Sequence, residues 1–260
     1  MTAAPSPYVE IDGRRPEVED LIHPALVNFG HFTAMQVRGG AVRGLHKHLR
    51  RLRVAHVEMF GTEIETEAIR SHMRSAVSRR ANSYLRVTLF EPHPGSIRTM
   101  SAVRPPLDAP TTPQSLKSIS YSRPVPHIKH VGSFAQIFHS LKAREQGFDD
   151  ALLTSPDGEV SETTRANIGF YRGHQVVWPK APSLHRITWQ ILDEHLGEHG
   201  FSVHPEHVAL RDVARFDGAF LANSIGVVGV GRIDGHRYPP ELDMASELSA
   251  AYAAAPWDEI

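Results

Sequence analysis

The chain has 260 residues, enough for one large domain or two small ones. Its 28 basic and 29 acidic residues nearly cancel, which gives no reason to expect nucleic acid or an anionic membrane as a partner. The lack of cysteine excludes disulfides, thiolate zinc sites and cysteine nucleophiles, and it fits a cytoplasmic protein.

Residues 1–20 are polar and proline-rich, with a strand expected at Tyr8–Ile11 before the turn Asp12-Gly13. The opening MTAAPSPYVEIDG has no charged stretch followed by an apolar block, so no signal peptide is expected. Nor is any apolar run long enough to span a bilayer. Phe32–Val37 alternates as a strand, Gly39-Gly40 reads as a hairpin turn and Ala41–Leu45 as its partner. Leu49, Leu52, Val57 and Phe60 then recur at helical spacing, predicting a helix over His46–Phe60 that Gly61 ends. A second helix is expected over Glu63–Arg80, followed by strands at Tyr84–Phe90 and Arg98–Val103.

The stretch RPPLDAPTTPQ holds four prolines in eleven residues, and such a run continues neither a helix nor a central strand. It divides the chain into a small N-terminal domain (residues 1–104), a linker (105–115) and a larger domain (116–260). The larger half begins with a strand at Leu116–Tyr121 and a helix at His130–Gln146 closed by Gly147. Strands follow at Asp150–Thr154, Glu159–Ser161, Asn167–Tyr171 and Gln175–Trp178, then a helix at Ile187–Gly197. Further strands at Phe201–His204, Gly218–Asn223 and Val227–Ile233 precede a last helix at Asp243–Ala255. Strands with interspersed helices in two unequal halves predict an α+β fold. The 17 histidines include no HExxH and no carboxylate at ligand spacing, so they read as scattered residues and no metal site is expected.

Two residues of the larger half carry the chemistry. Lys129 sits between apolar Ile128 and the start of an apolar-periodic run. A desolvated lysine is a Schiff-base nucleophile, although composition alone would make Lys129 a surface lysine. Glu162 closes the segment GEVSE, where a carboxylate serves equally as a turn acid or as the partner of a heterocycle nitrogen. Arg51 sits in His48-Leu49-Arg50-Arg51-Leu52, where Arg50, Arg51 and Arg53 read also as the wet face of a helix. Tyr84 and Arg86 share one face of a strand, either as a carboxylate receptor or as an ordinary exposed face.

The order Lys129, AREQG, DDALLT and DGEVSETTRANIGF resembles the class IV, or fold-type IV, pyridoxal-phosphate enzymes from about Phe29 to Gly235. These include branched-chain and D-amino-acid aminotransferases and aminodeoxychorismate lyases. The resemblance implies a small α/β domain and a larger domain with a mixed, barrel-like sheet, pyridoxal 5'-phosphate as cofactor, and a homodimer. It implies Lys129 as the Schiff-base lysine and Glu162 as the partner of the pyridine nitrogen. Asn167 matches the pattern SExxxxN and orders its loop. Arg51, in an HxxRL-like motif, then binds the phosphate, and Ser224 stands where a threonine touches it. Tyr84-Leu85-Arg86 resembles the YxR substrate-binding motif of the branched-chain branch.

Ile187 and Thr188 resemble the centre of a Gly-Ile-Thr-Arg phosphate motif, but the chain reads Arg186-Ile187-Thr188-Trp189. The arginine in place of glycine brings a second guanidinium toward the phosphate. Phe134 stands where relatives carry a tyrosine on the cofactor's 3'-oxygen, a bond phenylalanine cannot make. The expected activity is transfer of an amino group from an amino donor to a keto acid. The alternatives are a lyase releasing pyruvate, suggested by HIKH and NSIGVVGVG, and a binding module that has lost catalysis.

Overall fold

The computed structural model describes residues 6–260, so the first five residues of the polar lead fall outside the described residues. The chain forms two units. The first takes in residues up to Leu107 together with Ile128–Gly132 and Pro256–Ile260, and the second takes in Asp108–His127 and Ser133–Ala255.

The first unit is built on a four-stranded antiparallel sheet in the order β1-β5-β4-β2 (Tyr8–Ile11, Arg98–Arg104, Ser83–Phe90 and His31–Val37). Alternation sorts each strand into two faces. Met35, Val37, Leu85, Val87, Leu89 and Val103 point into a core shared with two helices, α2 (Leu45–Phe60) and α3 (Thr66–Val77). Leu52 and Met73 are wholly buried there. The buried stripe of α2 is Leu45, His48, Leu52, Ala55 and His56; of the stripe read from the sequence, Leu52 is in it and Leu49 packs against the same core, while Val57 turns outward because two histidines take inward places. Val57 is accordingly exposed.

A helix the sequence did not announce, α1 (Val18–Leu26), follows the first strand. Pro24 lies inside it, which hid it, but a reciprocal capping box between Glu17 and Asp20 fixes its start. The strand β3 (Ala41–Arg43) pairs with β15 (Trp257–Glu259) from the far end of the chain.

Strand β2 is a sheet edge, and the segment around Lys129 covers it: the Phe32 N–H donates to the Lys129 carbonyl at 2.8 Å, and the Val131 N–H to the Gly30 carbonyl at 2.9 Å. Gly30 is required by closeness, since a Cβ there would stand 2.6 Å from the Leu89 carbonyl oxygen. The helix expected from His130 therefore begins only at Phe134 (α4, Phe134–Glu145). Residues 129–131 are extended because their backbone groups bond to β2.

The second unit holds a nine-stranded mixed sheet. Its path runs β11 (Ser202–Glu206), β10 (Gln175–Pro179), β9 (Asn167–Arg172), β12 (Gly218–Asn223), β13 (Gly226–Ile233), β6 (Gln114–Ser120), β7 (Asp150–Thr154) and β8 (Val160–Thr163). The short β14 (His236–Arg237) pairs with β13 off that path. Both faces are covered. Ile168, Phe170, Ala219 and Leu221 enter one core, while Tyr171, Phe220 and Ala222 enter another with α5 (Ile187–His195) and α6 (Ala245–Ala254). Gly169 opens the room that the Phe220 ring fills. Asp193 fixes α5 on the sheet by accepting from both Trp178 Nε1 (2.7 Å) and Trp189 Nε1 (3.0 Å).

Candidate active site

Both units bury polar side chains, and some of the residues singled out in the sequence lie among them.

In the first unit, Thr33 points into the core from β2 and is wholly buried. Its hydroxyl lies 2.6 Å from His48 Nδ1 and accepts from Arg51 Nη2 at 2.5 Å. Arg51 Nη2 also lies 3.5 Å from His48 Nδ1, and a guanidinium only donates, so Nδ1 is the acceptor, the Thr33 hydroxyl donates to it, and neutral His48 carries its proton on Nε2. Burial, with Arg51 and Lys129 nearby, holds the His48 pKa well below its usual value, which keeps the ring neutral. Arg51 thus belongs to a buried network, not to the wet face of α2.

A second chain lies alongside. Glu91 accepts from His56 Nε2 at 3.1 Å and from Thr62 at 2.9 Å, and His56 Nδ1 is 3.2 Å from His31 Nε2. A carboxylate only accepts, so the tautomers follow in order and His31 donates to His56. Burial, with His56 and the Arg51 guanidinium nearby, pushes His31 down to about 3.

The opposite face of the same sheet carries Phe32, Tyr84, Arg86 and Thr88, and Tyr84 and Arg86 do share it. The Arg86 guanidinium lies 3.7 Å from the Phe32 ring centroid and donates through Nε to Thr88 at 3.3 Å. The ammonium of half-buried Lys129 lies 4.7 Å from the centroid of the same ring. One aromatic ring therefore touches both cations. A cavity of about 150 Å³ adjoins Arg86, lined by Pro24, Phe29, Thr88, Phe90, Met100 and Val131.

In the second unit, Glu162 stands in β8, one residue beyond the strand read from the sequence, and is 2 % exposed. The turn after it closes on Thr163 Oγ1, which accepts from the Ala166 N–H at 3.0 Å. Glu162 Oε2 accepts from Arg186 Nη2 at 3.0 Å, and Oε1 lies 4.0 Å from Arg123 Nη1. Arg186 is the N-cap residue of α5. Asn167 opens β9 and spans the loop before that helix: Nδ2 donates to the Leu184 carbonyl at 2.8 Å, and Oδ1 accepts from the Arg186 N–H at 3.1 Å. Ile187 and Thr188 are buried in the first turn of α5, which no side chain caps. Ser224 lies half-buried in the turn between β12 and β13. Phe134 is exposed on α4, stacked on Phe138.

Three partners escaped the sequence reading. Thr33 could have been found as a polar residue on the core face of an alternating strand. Arg123, in a proline-flanked loop, gave no signal. Arg186 was noticed as a departure from a motif, but its guanidinium was expected toward a phosphate and instead pairs with Glu162.

The fold is that of the fold-type IV aminotransferases. A branched-chain aminotransferase from Thermoproteus uzoniensis, solved with norvaline, superposes with a TM-score of 0.82 over 96% of this chain and 94% of that one, at 20% identity. A putative 4-amino-4-deoxychorismate lyase from Legionella pneumophila gives 0.78 over 88% and 93%, at 21% identity. In sequence, the chain is 32% identical over 121 residues to a probable branched-chain-amino-acid aminotransferase of Rickettsia felis. That match takes in 45% of this chain and only 41% of the curated relative. The family model for amino-transferase class IV matches residues 30–233, and the chain belongs to that pyridoxal-phosphate-dependent family.

Proposed function

We propose that the protein is an aminotransferase that moves an amino group between an amino acid, or amine, and a keto acid. The observation that carries this reading is the pair of cations on Phe32: an amine-reactive lysine and a guanidinium touch one ring. An amino acid needs both, a group that exchanges its amine and a group that receives its carboxylate.

The donor sets fit pyridoxal phosphate. Lys129 is the residue for covalent attachment, and it carries the proton to and from the substrate α-carbon. Arg51, supported by Thr33 and His48, suits the phosphate, as do the uncapped first turn of α5 at Ile187 and Thr188 and the hydroxyl of Ser224. Glu162 is the carboxylate that would pair with the pyridine nitrogen, and Asn167 holds the loop that presents the helix start. Tyr84 and Arg86 orient the substrate carboxylate. When bound, the cofactor supplies an aldehyde for amines and a ring that accepts electrons from the substrate carbon.

The protein is proposed to work in the cytoplasm, as a homodimer, without nucleic acid or membrane partners. Its net charge and lack of cysteine fit this setting, and no helix of the described residues is long and apolar enough to cross a membrane. The exposed stripe Phe134, Ile137, Phe138 and Leu141 on α4 supports self-association, and sedimentation checks it: a monomer at all concentrations ends that part of the reading.

The decisive experiment adds amino donors one at a time to protein loaded with cofactor. Loss of the visible band, with release of one keto acid per subunit, is the expected outcome. Pyruvate released from an aminodeoxychorismate-type substrate without amine transfer would assign the lyase reaction instead. No cofactor uptake would leave a binding module.

A further inference from the structure

The second unit holds a cavity of about 710 Å³ that none of the residues assigned above to cofactor or substrate lines. Small-molecule sites have this size. The β13–β14 hairpin builds its positive wall. The two-residue turn Asp234-Gly235, with Asp234 in the left-handed region (φ 49°), sets Arg232 directly opposite Arg237. Directly opposite residues of an antiparallel pair project from one face, and like charges there repel. Both arginines line the cavity, and among the described residues neither has a carboxylate within ion-pair distance. Arg232 rests 4.2 Å from the Phe148 ring centroid and gives one long bond to the Gly147 carbonyl at 3.4 Å. The hairpin's own carboxylate, Asp234, is committed to Lys117 at 2.8 Å and to the Ser118 N–H at 3.0 Å.

The same cavity has a negative pole. Asp243 lines it, and Gly229 makes room for the carboxylate: a Cβ there would stand 2.7 Å from Oδ1 and 2.8 Å from Oδ2. Oδ1 accepts from the Ala245 N–H at 2.9 Å, which fixes the group, and among the described residues no cation pairs with it. Buried Tyr171 adds a donor. Its hydroxyl accepts from the Met244 N–H at 3.4 Å, and its own proton meets no acceptor among the described residues. Burial, with Asp243 and Asp217 nearby, pushes this phenol up to about 12, so it keeps that proton. Val230, Pro239 and Pro240 supply apolar wall.

We propose that this cavity is a second binding site, for a free amino acid with an apolar or aromatic side chain: the carboxylate on Arg232 and Arg237, the ammonium on Asp243, and the side chain against Val230 and the two prolines. The physical reason is the pairing of poles. A simple anion would meet the repulsion of Asp243, and a simple amine that of the arginines, whereas a zwitterion satisfies both. Its carboxylate also relieves the repulsion between the facing guanidiniums, whose planar donors match carboxylate oxygens in pairs. No lysine lines the cavity, so the amino acid is held there without reacting.

The test is equilibrium dialysis of the full-length protein, with cofactor added, against α-methylphenylalanine, which has no α-proton for amine transfer to remove. Two analogues divide its charges: hydrocinnamate lacks the ammonium, and α-methylphenylalanine amide lacks the carboxylate. The expected result is saturable binding that weakens by about tenfold or more when Arg232→Gln and Arg237→Gln are combined, and that persists in Arg86→Gln. The amide should bind more weakly than the amino acid. Asp243→Asn should weaken the amino acid but not hydrocinnamate. Thermal unfolding separates a binding role from a structural one: with one of two facing cations gone, the midpoint of Arg237→Gln should hold or rise. No saturable binding up to about 10 mM overturns the proposal. So does binding indifferent to the arginine pair, binding lost in Arg86→Gln, or a midpoint that falls by several degrees in Arg237→Gln. Hydrocinnamate or the amide binding as tightly as the amino acid overturns the assignment of a zwitterion.

Discussion

The first unit buries imidazoles and the second buries guanidiniums, and burial acts on the two differently. An imidazole taken from water gives up its proton, as His31, His48 and His56 do, and these rings remain as neutral links in hydrogen-bonded chains that end on Arg51 and Glu91. A guanidinium has no such escape at any ordinary pH and has to find an anion. Arg123 and Arg186 find Glu162. The first cluster is therefore sensitive to protons. The second is sensitive to the loss of any one partner.

The largest expected effect lies on the first unit's other face. Lys129→Ala should lower turnover by about 10⁴-fold or more while leaving the thermal midpoint nearly unchanged, because the lysine's contribution is chemical. Turnover within tenfold of wild type sinks the assignment of Lys129.

Next comes the charge cluster of the second unit. Glu162→Ala leaves Arg123 and Arg186 buried without their carboxylate and should cost about 3–5 kcal/mol in urea unfolding. A loss below about 1 kcal/mol would mean that water enters the cluster freely, and the contrast between the units would weaken.

The proton-sensitive side is read from pH. His31 has a folded value of about 3, below its unfolded value. The folded state then binds fewer protons than the unfolded one, so this contribution is full above about pH 6.5 and is lost as pH falls toward 3. The slope is about 1.4 kcal/mol per pH unit for one such histidine. In His31→Gln the acid limb of the stability curve should flatten by that amount, and an unchanged limb contradicts the neutral network. The smallest effect is expected outside both clusters. Lys142→Ala removes an exposed pair with Glu145 on α4 and should change stability by less than about 0.5 kcal/mol.

Much of this was legible in the sequence, for reasons that differ by residue. Tyr84 and Arg86 could be placed on one strand face because alternation leaves no other choice. The α+β class followed from the spacing of strands and helices. The helix α1 was hidden by Pro24, since the capping box that starts it is built from acids, not from serine or threonine. The start of α4 was misjudged because backbone bonding of residues 129–131 to β2 is a long-range event that local periodicity does not record. The partners of Arg51 and Glu162 were out of reach for the same reason: Thr33 is 18 residues from Arg51, and Arg186 is 24 from Glu162.

The strand β15 has a consequence for the order of folding. Trp257–Glu259 pair with β3, the Asp258 carboxylate accepts from the Leu45 N–H at the start of α2, and Ile260 is buried in the first unit's core. During synthesis the residues of the first unit leave the ribosome early, yet the cap of α2 and one wall of its core arrive some two hundred residues later. Contacts this distant close slowly, because the loop entropy is lost before they form. The first unit's sheet edge at β3 and the start of α2 therefore depend on contacts that its own early residues cannot supply.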